Sequence, residues 1–306
     1  MMIVAGAGVV AVGARMSRYG RRHTARIIER PAQLADESFV LFLRPFEEDQ
    51  KLYKVRLASS RSLRASMTTP VSSTYEEGMV RLLRRRFGPV VAVGQPGEKL
   101  PLPGADRFYL PLDDWQPVVS DLIGRARLVV LIPGTSPGAL WELTEAARLL
   151  KPVQLLLFVY GDETSYRRFQ DAVPQAFVDR AEQLRSEGKV PATAPDFPDY
   201  PPLHDPTADG TMLGLQGIIH FDSTWTPRFV RCDRTAVKTL TWAGLPHKIY
   251  RKQLKPIFER VEQELPGEAS SRFLGRRRLE ARRRVRVRRP GGGIEGGVPR
   301  SDESGN

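Results

Sequence analysis

Two carboxylates, Glu142 and Glu145, stand three residues apart behind a Gly- and Pro-rich hexapeptide, Pro133-Gly134-Thr135-Ser136-Pro137-Gly138. That spacing puts both on one side of a helix. Trp141 and Leu143 flank the first of them, and a carboxylate desolvated by an aromatic wall can act as nucleophile or general acid/base. The hexapeptide offers backbone amides at a helix N-terminus, a setting that holds anions. Its spacing matches neither G-x-x-x-x-G-K-[ST] nor G-x-G-x-x-G, so ATP hydrolysis and a dinucleotide fingerprint are not supported. Each feature also has a plain structural account: a helix-opening turn, glutamates drawn to a helix N-terminus by its dipole, and a tryptophan packed in the core.

The elements that must position these groups read clearly. Arg127 to Ile132 and Val153 to Val159 are apolar runs without polar alternation, as in strands buried on both faces of a parallel sheet. Between them Ser136 suits an N-cap and Pro137 the first helical position, and the helix ends at Leu150 before Lys151-Pro152. This is a βαβ unit, and in open α/β sheets ligands bind at the carboxyl end of such strands.

Along the rest of the chain, Phe39 to Arg44 predicts a strand, Tyr75 to Phe87 a helix, Val90 to Val93 a strand, and Asp113 to Ala126 a helix. Tyr166 to Glu187 has helical character interrupted at Pro174, Gly217 to Phe221 is a last core strand, and Pro246 to Leu265 a closing helix. The expected architecture is a doubly wound α/β domain over residues 31–271, with five mostly parallel strands and insertions at 50–73 and 188–216. His220 and Asp222 end the last strand and are candidates to line the crevice.

The net charge of +12 sits in two flanks. Residues 1–30 carry six Arg against Glu29, and residues 272–306 carry eleven Arg against four acids. The remaining 30 basic and 30 acidic residues leave the middle neutral. That composition argues against a basic groove for specific nucleic-acid recognition and for basic ends that meet anionic lipid. The Arg/Gly-rich stretch from Arg272 has a disordered composition. Cys232 is the single cysteine, which excludes an internal disulfide, and His23, His204, His220 and His247 show no ligand spacing, so no metal site is expected. The apolar run Met2 to Gly13 precedes its arginines and is shorter than the roughly 20 residues of a spanning helix. It is read either as the end of a membrane helix or as an apolar leader.

Ser136-Pro137-Gly138-Ala139-Leu140-Trp141-Glu142-Leu143 resembles the S-x-W-C-x-x-E-L segment of Toll/interleukin-1 receptor (TIR) domains. Phe42-Leu43-Arg44-Pro45-Phe46-Glu47-Glu48-Asp49 is similar to that family's first strand and its F-x-S-Y-x-x-E-D turn. Gly138-Ala139 replaces Trp-Cys, and Arg44-Pro45 replaces Ser-Tyr. The Gly134-Thr135 turn with its following Glu-Leu is also similar to the nucleoside deoxyribosyltransferase signature. The resemblance implies a flavodoxin-like domain in which Glu142 is the catalytic carboxylate at the nicotinamide–ribose bond of NAD, a substrate rather than a bound cofactor. It implies that Gly134, Thr135, Ser136 and Gly138 hold ribose or phosphate, and that Arg44, Phe46 and Trp141 contact the nucleotide. The alternative is a non-enzymatic module that binds a nucleotide or self-associates. In either case the expected location is cytoplasmic, with the basic ends on the inner membrane face.

Overall fold

A computed structural model describes residues 27–28, 33–44, 75–94, 105–109, 114–205, 215–237 and 248–265. These belong to a compact unit spanning Met1–Pro266; a second unit, Gly267–Asn306, lies outside the described residues. The elements in chain order are β1 (Ile27–Ile28), β2 (Val40–Leu43), α1 (Tyr75–Phe87), β3 (Val90–Gly94), β4 (Asp106–Tyr109), α2 (Trp115–Arg125), β5 (Leu128–Leu131), α3 (Pro137–Leu149), β6 (Leu155–Val159), α4 (Glu163–Ser186), β7 (Gly217–Phe221), β8 (Pro227–Arg231) and α5 (Lys255–Glu264).

All eight strands join one sheet in the order β1-β4-β3-β2-β5-β6-β7-β8, so the expected count of five was too low. The first six are parallel, with β2 paired to β3 on one side and β5 on the other. The three extra strands carried weak sequence signals. Asp106-Arg107-Phe108-Tyr109 sits in a Gly/Pro-rich connection, Ile27–Ile28 lies within the Arg-rich leader, and Pro227 to Arg231 is an edge strand that keeps polar residues. β7 runs antiparallel to β6, and β8 antiparallel to β7. The turn between them is fixed by Asp222, whose Oδ1 accepts from the Thr224 amide at 3.0 Å, the Thr224 hydroxyl at 2.7 Å and the Thr226 amide at 3.0 Å.

Because the central strands are buried on both faces, residues alternate between two cores. Leu41, Leu43, Val129, Leu131, Leu155 and Leu157 face α2, α3 and α4. Val40, Phe42, Leu128, Val130, Leu156 and Phe158 face α1 and α5. The result is a three-layer sandwich, with α1 and α5 on one face of the sheet and α2, α3 and α4 on the other, as in doubly wound sheets. α4 runs unbroken through Pro174. That residue is exposed, so water can bond the Gln170 carbonyl freed by the missing amide. Ahead of α5, Tyr250–Leu254 forms a π turn just before Pro256, where the proline ring disfavours a tight continuation.

Candidate functional site

The chain leaves β2 through α1 toward β3 and β4, then crosses back through α2 to β5 on the opposite side of β2. The strand order therefore reverses between β2 and β5, the place where open α/β sheets bind ligands, beyond the carboxyl ends of the strands. Leu43 pairs with Leu131, and the Ile132 amide donates to the Leu43 carbonyl at 3.0 Å. Arg44, which is buried, thus lies beside the start of the Pro133–Gly138 loop. Phe46, with Pro45 to Asp49 and the insertion 50–73, lies outside the described residues.

Ser136 caps α3 as its type and place require. Its hydroxyl accepts from the Ala139 amide at 3.3 Å, its carbonyl accepts from Leu140 at 3.0 Å, and Pro137 follows at the first helical position. Proline has no amide and the Ala139 and Leu140 amides are engaged, so of this first turn only Gly138 can offer an N–H to an anion. The anion-holding capacity of the turn therefore rests on Gly138 together with the loop residues Gly134, Thr135 and Ser136. A Cβ at Gly138 would lie 3.8 Å from the Trp115 indole, so α2 places an aromatic ring beside this glycine.

Glu142 is the sixth residue of α3, roughly 8 Å along the axis from its first residue. It is 7% exposed and forms no hydrogen bond or ion pair with another described residue. Burial pushes its carboxyl up to about 8, and no neighbouring charge offsets the shift. Glu145 is 1% exposed but fully engaged. It accepts from Ser120 of α2 at 2.5 Å, from Arg148 at 2.6 and 3.0 Å, and from Arg180 of α4 at 3.0 Å. Burial raises its carboxyl, but the hydrogen bonds from Arg148, Ser120 and Arg180 outweigh that and hold it at about 2. Glu145 is the hinge pin of three helices, while Glu142 carries a proton at neutral pH.

Trp141 packs between helices. Its ring meets Trp115 edge-on at 5.0 Å and 78°, and the Arg180 guanidinium lies over it at 5.5 Å. It packs α3 against both neighbours, a role that the ring's size alone does not disclose.

His220 and Asp222 lie at the other end of the sheet. His220 pairs with Leu156 at the amino end of β6, because β7 is antiparallel. A parallel last strand would have carried them to the crevice. At the carboxyl edge the reversal instead brings up the start of β7 and the end of β8. Arg231 donates to the Tyr200 hydroxyl at 2.7 Å and the Gln216 carbonyl at 2.9 Å, and stacks over the Tyr200 ring at 4.4 Å. Tyr200 in turn donates to the Gly161 carbonyl at 3.2 Å. The sequence reading missed this group; its one signal is an arginine closing the strand-like Pro227-Arg228-Phe229-Val230-Arg231.

Among the described residues no cluster of three or more His, Cys, Asp and Glu is placed to hold a metal ion, and no helix is long and apolar enough to cross a membrane. Comparison with protein families, curated proteins and solved structures found no match.

Proposed function

We propose that this chain is a TIR-like domain that cleaves, or transfers at, the nicotinamide–ribose N-glycosidic bond of NAD or a related nucleotide, with Glu142 as its catalytic carboxylate. The observation that carries the proposal is a buried carboxyl without a described partner, on the helix that rises from the switch point of a doubly wound sheet. Burying such a group costs stability, and groups of this kind cluster at functional sites. Strands β2, β3, β5, β6 and β7, numbered by themselves, stand in the flavodoxin-like order 2-1-3-4-5, with β4 and β1 added outside β3. The antiparallel β7 departs from an all-parallel sheet of that kind.

In the ligand-free state Glu142 is protonated near neutral pH. A bound pyridinium cation favours the ionised form, so substrate itself prepares the carboxylate. The C1′–N bond then breaks, and its electron pair leaves with neutral nicotinamide. The Glu142 carboxylate stabilises the oxocarbenium-like carbon or bonds to it. Water or another acceptor adds at C1′ and releases a proton. Arg44, Gly134, Thr135, Ser136 and Gly138 are the groups proposed to bind ribose and phosphate, and Phe46 to stack on a ring.

The test is release of free nicotinamide from NAD by the full chain and by Glu142→Gln, both in solution and concentrated on anionic vesicles. Release that depends on Glu142 supports the enzyme; no release in either setting overturns it. A non-enzymatic nucleotide-binding or self-associating module is then the reading to adopt. The engagement of Trp141 by Trp115 and Arg180 favours that second reading, because it leaves this ring packed rather than open to a ligand.

A further inference from the structure

The neutral sum of the folded middle conceals a partition between its two faces. On the α1/α5 side, α1 carries four Arg and two Glu, and residues 248–264 carry five basic residues and three Glu, for +4 together. On the opposite side α2, α3 and α4 carry six basic and seven acidic residues, one of the acids being the neutral Glu142, for no net charge. Pairing sharpens the contrast. Glu259 binds Lys255 at 3.1 Å and Arg86 at 3.7 Å, Glu262 binds Arg86 at 3.0 Å, Glu264 binds Arg260 at 2.7 Å, and Asp106 binds Arg84 at 2.7 Å. The acids of α5 are therefore all taken up by their own layer. Arg85, Arg251 and Lys252 are exposed and make no ion pair with another described residue.

We propose that the α1/α5 face is a docking surface for an anionic lipid bilayer. Exposed cations on α1 and on the π turn ahead of α5, both in one layer, suit a field of negative headgroups, to which each basic residue near the surface adds about 1 kcal/mol. The chain itself supports this choice of occupant. Arg272 follows Glu264, the last residue of α5, by eight positions, and the basic run of the tail continues from there in sequence. Docked this way, the sheet lies parallel to the bilayer and its carboxyl edge opens along the membrane surface. The inference is independent of any chemistry at Glu142.

The experiment is vesicle flotation of the full chain, using phosphatidylcholine with and without phosphatidylserine. The test variant is Arg85→Gln/Arg251→Gln/Lys252→Gln. The control is Arg167→Gln/Arg168→Gln/Arg185→Gln, which removes the same charge from exposed positions on the opposite face. Circular dichroism checks that both remain folded. The expected result is a loss of about 100-fold in partition to phosphatidylserine vesicles for the first variant, at roughly fivefold per charge, and little change for the control. Equal losses in both variants, or none in either, overturn the proposal, because net charge or the tail alone then accounts for binding. A loss of affinity for short duplex DNA without a loss on vesicles also overturns it, assigning the face to nucleic acid.

Discussion

Glu142 and Glu145 stand three residues apart on α3, both buried, with proton affinities displaced in opposite directions, to about 8 and about 2. The difference lies in their neighbours. Glu145 meets two guanidinium groups and a hydroxyl, whereas Glu142 meets none among the described residues. One helix thus carries a fixed negative charge that locks its packing and a neutral acid that the fold does not need.

The first prediction concerns stability. Glu142 is raised from its ordinary 4.5 to about 8, so the folded state keeps a proton that the unfolded chain loses. Stability therefore falls as pH rises from 4.5 to about 8. Glu142→Gln removes this penalty and stabilises the protein, on the order of 3 kcal/mol at pH 7, with little effect near pH 4. Urea unfolding at the two pH values measures it; a variant less stable than the parent at pH 7 refutes the assignment.

Glu145 follows the opposite rule. Its depressed affinity contributes stability that is present above 4.5 and lost as pH falls toward 2. Glu145→Ala leaves Arg148 and Arg180 without their shared acceptor and should cost about 3 kcal/mol, lowering the midpoint of thermal unfolding. For that reason Glu145→Gln is a poor negative control for activity: a loss there would report helix packing rather than chemistry.

Two glycines should respond oppositely to alanine. At Gly138 the new methyl meets Trp115 at ordinary contact distance, and Gly138→Ala should stabilise by about 0.5 kcal/mol through helix propensity. At Gly217 a Cβ would overlap the Phe229 ring and the Val230 carbonyl oxygen. Gly217→Ala should cost about 2 kcal/mol or more. Paired thermal melts distinguish the two.

If the glycosidic reading holds, nicotinamide release should rise with pH on kcat/KM, as Glu142 ionises in the free enzyme, with an apparent midpoint near 8. A flat profile between pH 6 and 9 would place the essential ionisation elsewhere.

The sequence was most informative where local chemistry is strict. Ser136 and Pro137 open α3 because few residues suit those positions, and the apolar runs around Val129 and Leu157 read as strands buried on both faces. It was silent where a strand's identity depends on its neighbours. Asp106 to Tyr109 is half polar and becomes β4 only because β3 offers an edge. The direction of Gly217 to Phe221 was not legible, since a run buried on both faces looks the same either way round, and this alone moved His220 and Asp222 to the wrong end. Burial of Glu142 could be suspected from Trp141 and Leu143, but the contrast with Glu145 could not, because Ser120 and Arg180 lie 25 and 35 residues from Glu145.

The reversal at β7 has a kinetic consequence. β7 and β8 are joined by the short turn from Asp222 to Thr226, so they can pair as soon as that stretch of chain is free to move. Each parallel pair must first close a long crossover, which is entropically slower. This hairpin is thus expected to be among the earliest ordered parts of the sheet, a ready-made border on which β6 and then the switch-point strands assemble.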